Sequence, residues 1–299
     1  MRQFARAKIN LTLHVGRVIR DAERFHGYHP LNSLVAFADV GDRLDFTSGP
    51  RLRLAIEGPF ADALDTDERN LVVRAARAAE RLGADTRLAI RLTKALPVAS
   101  GLGGGSADAA AVLRALLPDL RPGHPRLMET ALGLGADVPA CVHSRTLRMT
   151  GIGETLSPLP GLGRVSAVLA NPGVAVSTAE IFRRFDAHDP PDTPRPQVPV
   201  KASGGTLLER ALAGRNDLEP VARALEPRIG ELADAMATQP GCELARMSGS
   251  GASVFGLFSG AEPARAAARV LRAGGVWAVA AHLGEAGEGG DAGAEGRAG

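Results

Sequence analysis

Residues Pro97-Val98-Ala99-Ser100-Gly101-Leu102-Gly103-Gly104-Gly105-Ser106-Ala107-Asp108 could do chemistry with almost no side chains. Four of the five positions from 101 to 105 are glycine. That removes the atoms that would hold an anion away from the backbone, and it permits the positive φ values of an N–H nest. An apolar helical pattern, Ala109 to Leu117, follows at once. Ser106 is suited to cap that helix, whose first N–H groups and partial positive charge would then face a phosphate. The segment from Pro97 to Ala107 is therefore a candidate nucleotide-phosphate cradle, and the Ser106 hydroxyl a candidate Mg²⁺ ligand. Asp108 suits the helix dipole but repels phosphate unless a metal lies between them.

Two familiar cradles do not fit. A P-loop needs Gly-Lys-Ser/Thr at its end, and no lysine lies between residues 95 and 200. A dinucleotide fold needs its first glycine at the end of a strand. Here the strand candidate Leu88 to Thr93 is separated from Gly101 by seven residues, among them Pro97.

Two further segments accompany the cradle. Near the start, Phe4-Ala5-Arg6-Ala7-Lys8-Ile9-Asn10-Leu11-Thr12-Leu13-His14-Val15 alternates like a half-buried strand, placing Lys8, Asn10, Thr12 and His14 on one face. Near the end, Leu244 to Phe258 reads strand, small-residue turn (Ser248-Gly249-Ser250-Gly251), strand.

In this order the three segments resemble the signatures of the GHMP kinases, the superfamily of galactokinase, homoserine kinase and the mevalonate and phosphomevalonate kinases. Additional stretches, Gly27-Tyr28-His29, Leu134-Gly135-Ala136-Asp137-Val138-Pro139 and Ala170-Asn171-Pro172-Gly173-Val174, resemble one branch of it, the 4-diphosphocytidyl-2-C-methyl-D-erythritol kinase family. The resemblance covers about residues 4 to 260.

It implies an α+β GHMP kinase fold: an N-terminal domain over 1–160 like domain 2 of ribosomal protein S5, and a ferredoxin-like C-terminal domain over 161–283. The implied reaction is ATP- and Mg²⁺-dependent phosphorylation of the 2-hydroxyl of the methylerythritol unit in its cytidine diphosphate ester. Such a transfer needs the hydroxyl in line, its proton accepted and the phosphoryl charge met. By resemblance, Asp137 is the proton acceptor and Lys8 its catalytic partner. Lys94 and Pro97 to Ala107 bind the nucleotide. Asn10, Tyr28, His29 and Phe182 bind the acceptor, with Tyr28 and Phe182 sandwiching the cytosine. The family's commonest form after the glycines is Ser-Ser-Asn, whereas here it is Ser106-Ala107-Asp108, with one hydroxyl fewer. A sibling kinase of a small acceptor gives no reason for Gly27-Tyr28-His29. A nucleotide-binding regulator that has lost catalysis gives none for keeping both Lys8 and Asp137.

Those residues need elements to hold them. Strands are expected at 4–15, 31–37, 43–47, 51–56, 87–93, 146–149, 166–170, 243–247, 253–258 and 276–282. Helices are expected at 70–82, 106–117, 126–132, 206–213, 218–224, 227–237 and 262–273. The proline-rich stretch from Asp186 to Pro199 reads as a mobile loop and residues 284–299, rich in Gly and acids without large apolar side chains, as a disordered tail. Asp39 and Asp42 are read as turn residues, and Cys141 as packing. A net charge of +2 over 299 residues, without a basic stripe, gives no case for nucleic acid. Two cysteines without metal spacing and no apolar run of membrane length point to a soluble cytoplasmic protein, a monomer or weak homodimer.

Overall fold

The computed structural model describes residues 1–20, 25–194 and 205–285. Alternation in the N-terminal stretch produces strand β1 (Arg2–Val15), which pairs antiparallel with β2 (Leu31–Ser48) from Arg2 opposite Asp45 to Val15 opposite Leu31. Two strands were expected where β2 runs unbroken: its pairing with β1 shifts register between Phe37 and Gly41, and Ala38 pairs instead with Leu283 of the last strand, so the chain stays extended. Gly41 permits the close approach: a Cβ there would lie 2.8 Å from the carbonyl carbon of Ala5. Asp39 and Asp42 are thus strand residues, a correction to their reading as turn residues.

Next come β3 (Arg53–Glu57), a 3-10 turn at Ala61–Ala63, helix α1 (Leu71–Arg81) and β4 (Leu88–Thr93). Asn70 caps α1 by accepting the N–H of Val72, and the apolar side of α1 packs on the next helix. That helix, α2 (Gly104–Leu116), lies against β1, α1 and α4 (Val138–His143) and buries most of its surface. Its alanines combine high helix propensity with a small girth that lets it sit centrally. Between them runs α3 (Pro125–Leu134), and β5 (Leu147–Gly151) and β6 (Thr155–Pro158) follow.

The remainder is β7 (Arg164–Asn171), α5 (Thr178–Asp186), α6 (Leu207–Leu212), α7 (Glu219–Leu225), α8 (Pro227–Ala237), β8 (Cys242–Met247), β9 (Val254–Phe258), α9 (Ala261–Ala273) and β10 (Trp277–Gly284). Its strands lie in the order β10-β7-β9-β8, all antiparallel. Numbered within this half, that is 4-1-3-2, with helices after the first and third strands, the ferredoxin-like arrangement. β2 is the hub of the other half, pairing with β1, β4, β5 and, through Ala38 and Leu283, with β10.

Three apolar clusters follow from this layout. One lies under α1 and α2, one under the C-terminal helices. The third, with Ile9, Leu11, Leu102, Phe255 and Leu283, joins the two halves. Each large apolar side chain fully buried there contributes about 1.5–3 kcal/mol. The short helix α4, the strand β6 and the 3-10 turn had no sequence expectation. The expected tail begins later than 284: Gly284 ends β10, and the carboxylate of Glu285 accepts the N–H of Thr146. Residues 286–299, and 195–199 of the expected loop, lie outside the described residues.

Candidate active site

The cradle is built by backbone conformation. Gly101 and Gly103 have φ of 77° and 62°, values a side chain disfavours. A Cβ on Gly103 would also lie 2.9 Å from Cβ of Lys8, so the loop lies directly on β1, and the N–H of Lys8 donates to the carbonyl of Leu102. Ser106 does not cap α2, as had been expected. The helix starts two residues earlier, with Gly103 as its N-cap, and the serine hydroxyl lines the cleft from within the first turn. A Cβ on Gly105 would meet nothing within 4 Å, so this glycine keeps open space before the helix N-terminus, as a bound phosphate requires.

The cleft holds about 460 Å³ and is lined by Pro97 to Gly101, Gly103 to Ser106, Lys94, Asp108 and Asp137. Leu102 and Ala107 of the expected set are buried beneath it. Sequence reading missed its far wall, Leu64, Asp65, Arg69 and Asn70, and the contributions of Thr178 and Ser250 from the C-terminal half. Asn70 carried a helix-cap signal, but nothing in the sequence aimed that cap at the cleft.

Asp137 lines the cleft, and the buried Lys8 pairs with it. The Lys8 ammonium donates to the Asp137 carboxylate at 2.6 Å, with Lys8 3% and Asp137 38% exposed. Asp137 is the N-cap residue of α4, yet its side chain makes no capping bond, which leaves a carboxylate oxygen facing the cleft. Beside Lys8 on β1, Asn10 donates its amide to Ser33 Oγ, while its own buried Oδ1 has no partner. The N–H of Asn10 donates to Ser248 Oγ, which donates in turn to the carbonyl of Gly101. One hydroxyl of the C-terminal glycine turn therefore ties the catalytic strand to the cradle.

The expected acceptor residues are only partly brought together. Phe182 on α5 stacks on the ring of His29, centroids 4.6 Å apart and tilted by 33°. His29 Nδ1 lies 3.0 Å from the carbonyl of Gly16, so it carries the hydrogen. Tyr28 is 51% exposed and packs edge-on against Phe25. His14 is buried with Nδ1 unpartnered, and burial lowers its pKa.

Behind the cradle, Lys94 Nζ lies 2.5 Å from Asp42 Oδ2 and 2.8 Å from Asp108 Oδ2. Burial pulls the Lys94 ammonium down, but the two carboxylates outweigh it and hold it above its ordinary value. Burial pushes the Asp108 carboxyl up to about 7, with Asp42 adding to the rise against the pull of Lys94. The Cys141 thiol is pushed up to about 12 by burial, an inert packing residue.

Among the described residues no group of three or more His, Cys, Asp or Glu could hold a metal.

Comparison with known proteins adds a family. Residues 70–145 match the GHMP kinases N terminal domain and residues 200–276 the GHMP kinases C terminal domain. A 4-diphosphocytidyl-2-C-methyl-D-erythritol kinase of Cereibacter sphaeroides is 51% identical over 90% of this chain and 94% of its own length. The enzyme of that name from Parvibaculum lavamentivorans is 51% identical over 91% and 93%. A crystal structure of 4-(cytidine 5'-diphospho)-2C-methyl-D-erythritol kinase superposes with a TM-score of 0.75 at 36% identity, covering 95% of this chain and 100% of that one. Homoserine kinase from Cytophaga hutchinsonii, at 19% identity and a TM-score of 0.59, shares the fold.

Proposed function

This chain belongs to the GHMP kinases, in the 4-diphosphocytidyl-2-C-methyl-D-erythritol kinase family, and from that premise we propose that it transfers the terminal phosphoryl group of ATP to the 2-hydroxyl of 4-diphosphocytidyl-2-C-methyl-D-erythritol. The observation that carries the reading is the Lys8–Asp137 pair, 2.6 Å apart, whose Asp137 lines the same cleft as the glycine cradle.

The cradle's N–H groups and the N-terminus of α2 hold the phosphates of ATP. Asp137 orients the acceptor hydroxyl and takes its proton as the new oxygen–phosphorus bond forms and the bond to the leaving ADP breaks. Lys8 sets a compact positive charge beside both the carboxylate and the reacting oxygen. Mg²⁺, when bound with the nucleotide, supplies charge neutralisation on the phosphates, with Ser106 within the cradle to hold it. Asn10, through its unpartnered Oδ1, orients the methylerythritol unit from the same face of β1. Tyr28, His29 and Phe182 form the base end, and a cytosine displaces or joins the His29–Phe182 stack.

No described helix is long and apolar enough to cross a membrane, and the reading includes a cytoplasmic location and a monomer or weak homodimer. The test supplies Mg-ATP with the cytidylated acceptor, homoserine and mevalonate in parallel and follows ADP release. Turnover with the cytidylated compound alone is expected. Turnover with homoserine or mevalonate instead would move the chain to a sibling activity, and ADP release from none of the three would remove the kinase reading.

A further inference from the structure

The resemblance places Lys94 among the nucleotide-binding residues, and it lines the cleft, yet its ammonium is paired with protein carboxylates. Its side chain is 2% exposed and held between two carboxylates that are themselves 0% and 3% exposed, Asp42 and Asp108. Asp42 also accepts the N–H groups of Ala95 and Leu96 through its other oxygen, so the same carboxylate shapes the chain on its way into the cradle. Asp108 belongs to α2, whose N-terminus is the phosphate end. The ammonium backs that end closely: a Cβ on Gly104, the first helical residue, would lie 2.9 Å from Lys94 Nζ.

We propose that Lys94 is a positioning residue: clamped between Asp42 of β2 and Asp108 of α2, its ammonium fixes the first turn of α2 against the end of β4, and thereby sets the phosphate cradle without touching the nucleotide. Three observations support this over a direct contact. Both of the lysine's anionic partners are protein carboxylates at hydrogen-bond distance. The ammonium bridges both carboxyl groups, so freeing it for a phosphate would leave Asp42 and Asp108 buried together without the cation that pairs them. Finally, these carboxylates come from separate elements, β2 and α2, and the lysine follows a third, β4. A buried clamp of this kind holds elements in one arrangement, and removing one partner leaves an uncompensated buried charge.

The inference rests on the reading of this cleft as an ATP site, and the experiment separates the two. Lys94→Met, Asp108→Asn and the double variant are compared for ATP KM, acceptor KM and kcat. Binding of a fluorescent ATP analogue is titrated without acceptor, so an error in the acceptor leaves the test standing, whereas an analogue that does not bind wild type would fault the ATP reading itself. Lys94→Met is expected to raise ATP KM tenfold or more and acceptor KM less than threefold. Asp108→Asn, which keeps an oxygen for the ammonium, is expected to stay within threefold of wild type on both.

Asp108→Ala decides between clamp and contact. It cuts the ammonium's tie to α2 and leaves Lys94 in place, so the clamp expects ATP KM to rise, whereas an unchanged value would overturn the proposal in favour of direct phosphate contact. The double variant, in which the same tie is cut once, is expected to match Lys94→Met within about twofold, and a much larger rise would overturn the proposal because the two residues would then act independently. Equal rises in both KM values, or a loss of melting temperature with ATP KM unchanged, would reduce the cluster to a general stabiliser and overturn it as well. Should Lys94→Met fail to fold by circular dichroism, Asp108→Ala still tests the clamp from the helix side, with ATP KM expected to rise fivefold or more.

Discussion

At the residue scale, Asp137 lines the cleft with Lys8 paired to it from within the fold, and neither belongs to the segment of the cradle itself. Removing either should therefore cost turnover and spare nucleotide binding. Asp137→Asn and Lys8→Ala are each expected to lower kcat by about 10²-fold or more, the scale of a positioned acid–base group, with affinity for an ATP analogue within a few-fold of wild type. Near-normal turnover in either variant would remove that residue from the mechanism. Phe182 makes the complementary case. Its ring already stacks on His29, and if it also stacks a base, Phe182→Ala should raise acceptor KM by roughly 5- to 150-fold, the equivalent of about 1–3 kcal/mol of base–aromatic stacking. ATP KM should barely move, and an equal effect on both substrates would place Phe182 in the core instead.

His14 supplies a pH dependence. Burial lowers its pKa, Asp217 opposes this, and Arg215 and Arg246 reinforce it. A folded value below the ordinary one means that the fold accommodates the neutral ring. The associated stability is complete above about pH 6.5 and is lost as pH falls through the folded value. Melting temperatures from pH 7.5 to 5.5 should decline in wild type and decline less in His14→Gln. Parallel profiles would show that His14 carries none of the dependence.

At the scale of elements, α2 serves two demands, because its N-terminal turn lines the cleft where we propose the phosphates bind and its body is core. Gly103 is where both demands meet: φ is 62°, and a Cβ would lie 2.9 Å from Cβ of Lys8. Gly103→Ala must distort the loop, move β1, or both. We expect ATP KM to rise at least tenfold with a clear fall in kcat, since the same contact places Lys8. Gly105→Ala is the control. That site has a free shell of 4 Å in the unliganded fold, so stability should be nearly unchanged while a bound phosphate is crowded. A Gly103→Ala variant with wild-type kinetics would show that the loop is not set by this approach.

At the scale of the whole molecule, the two halves meet through β2 with β10, through the shared apolar cluster, and through Ser248. The Ser248 hydroxyl is buried, accepts from the N–H of Asn10 and donates to the carbonyl of Gly101. Ser248→Ala leaves both partners without it, at a cost of about 1–3 kcal/mol for each group left unsatisfied. A melting temperature lower by several degrees is expected, together with a fall in kcat, because the acceptor strand and the cradle lose their common tie. Unchanged melting and unchanged kcat would mean that water replaces the hydroxyl without loss.

The sequence by itself determined what depends on spacing along the chain. Alternation put Lys8, Asn10, Thr12 and His14 on one strand face, glycines marked the cradle, and the small-residue turn after Met247 marked the third segment; each is a local backbone preference that needs no partner to be read. Helix α1 was legible from its period, whereas the ferredoxin-like order of the second half came from the resemblance, because local pattern marks strands and helices but not which strands pair. What the sequence could not determine is which distant groups meet. Lys8 and Asp137 are 129 positions apart, Asn10 and Ser248 are 238 apart, and Lys94 finds both Asp42 and Asp108.

Local signals misled where tertiary packing was stronger. Ser106 looked like a cap, but the helix gained two more residues once Gly103 could adopt a left-handed turn against Lys8. Asp42 looked like a turn residue until the pairing of β1 held β2 straight through it. Lys94 was assigned to the nucleotide by resemblance, and no local signal pointed to Asp42 and Asp108 as its partners. Only the fold, by burying two carboxylates around it, turned that charge inward, since an ammonium out of water goes where its counter-charges are.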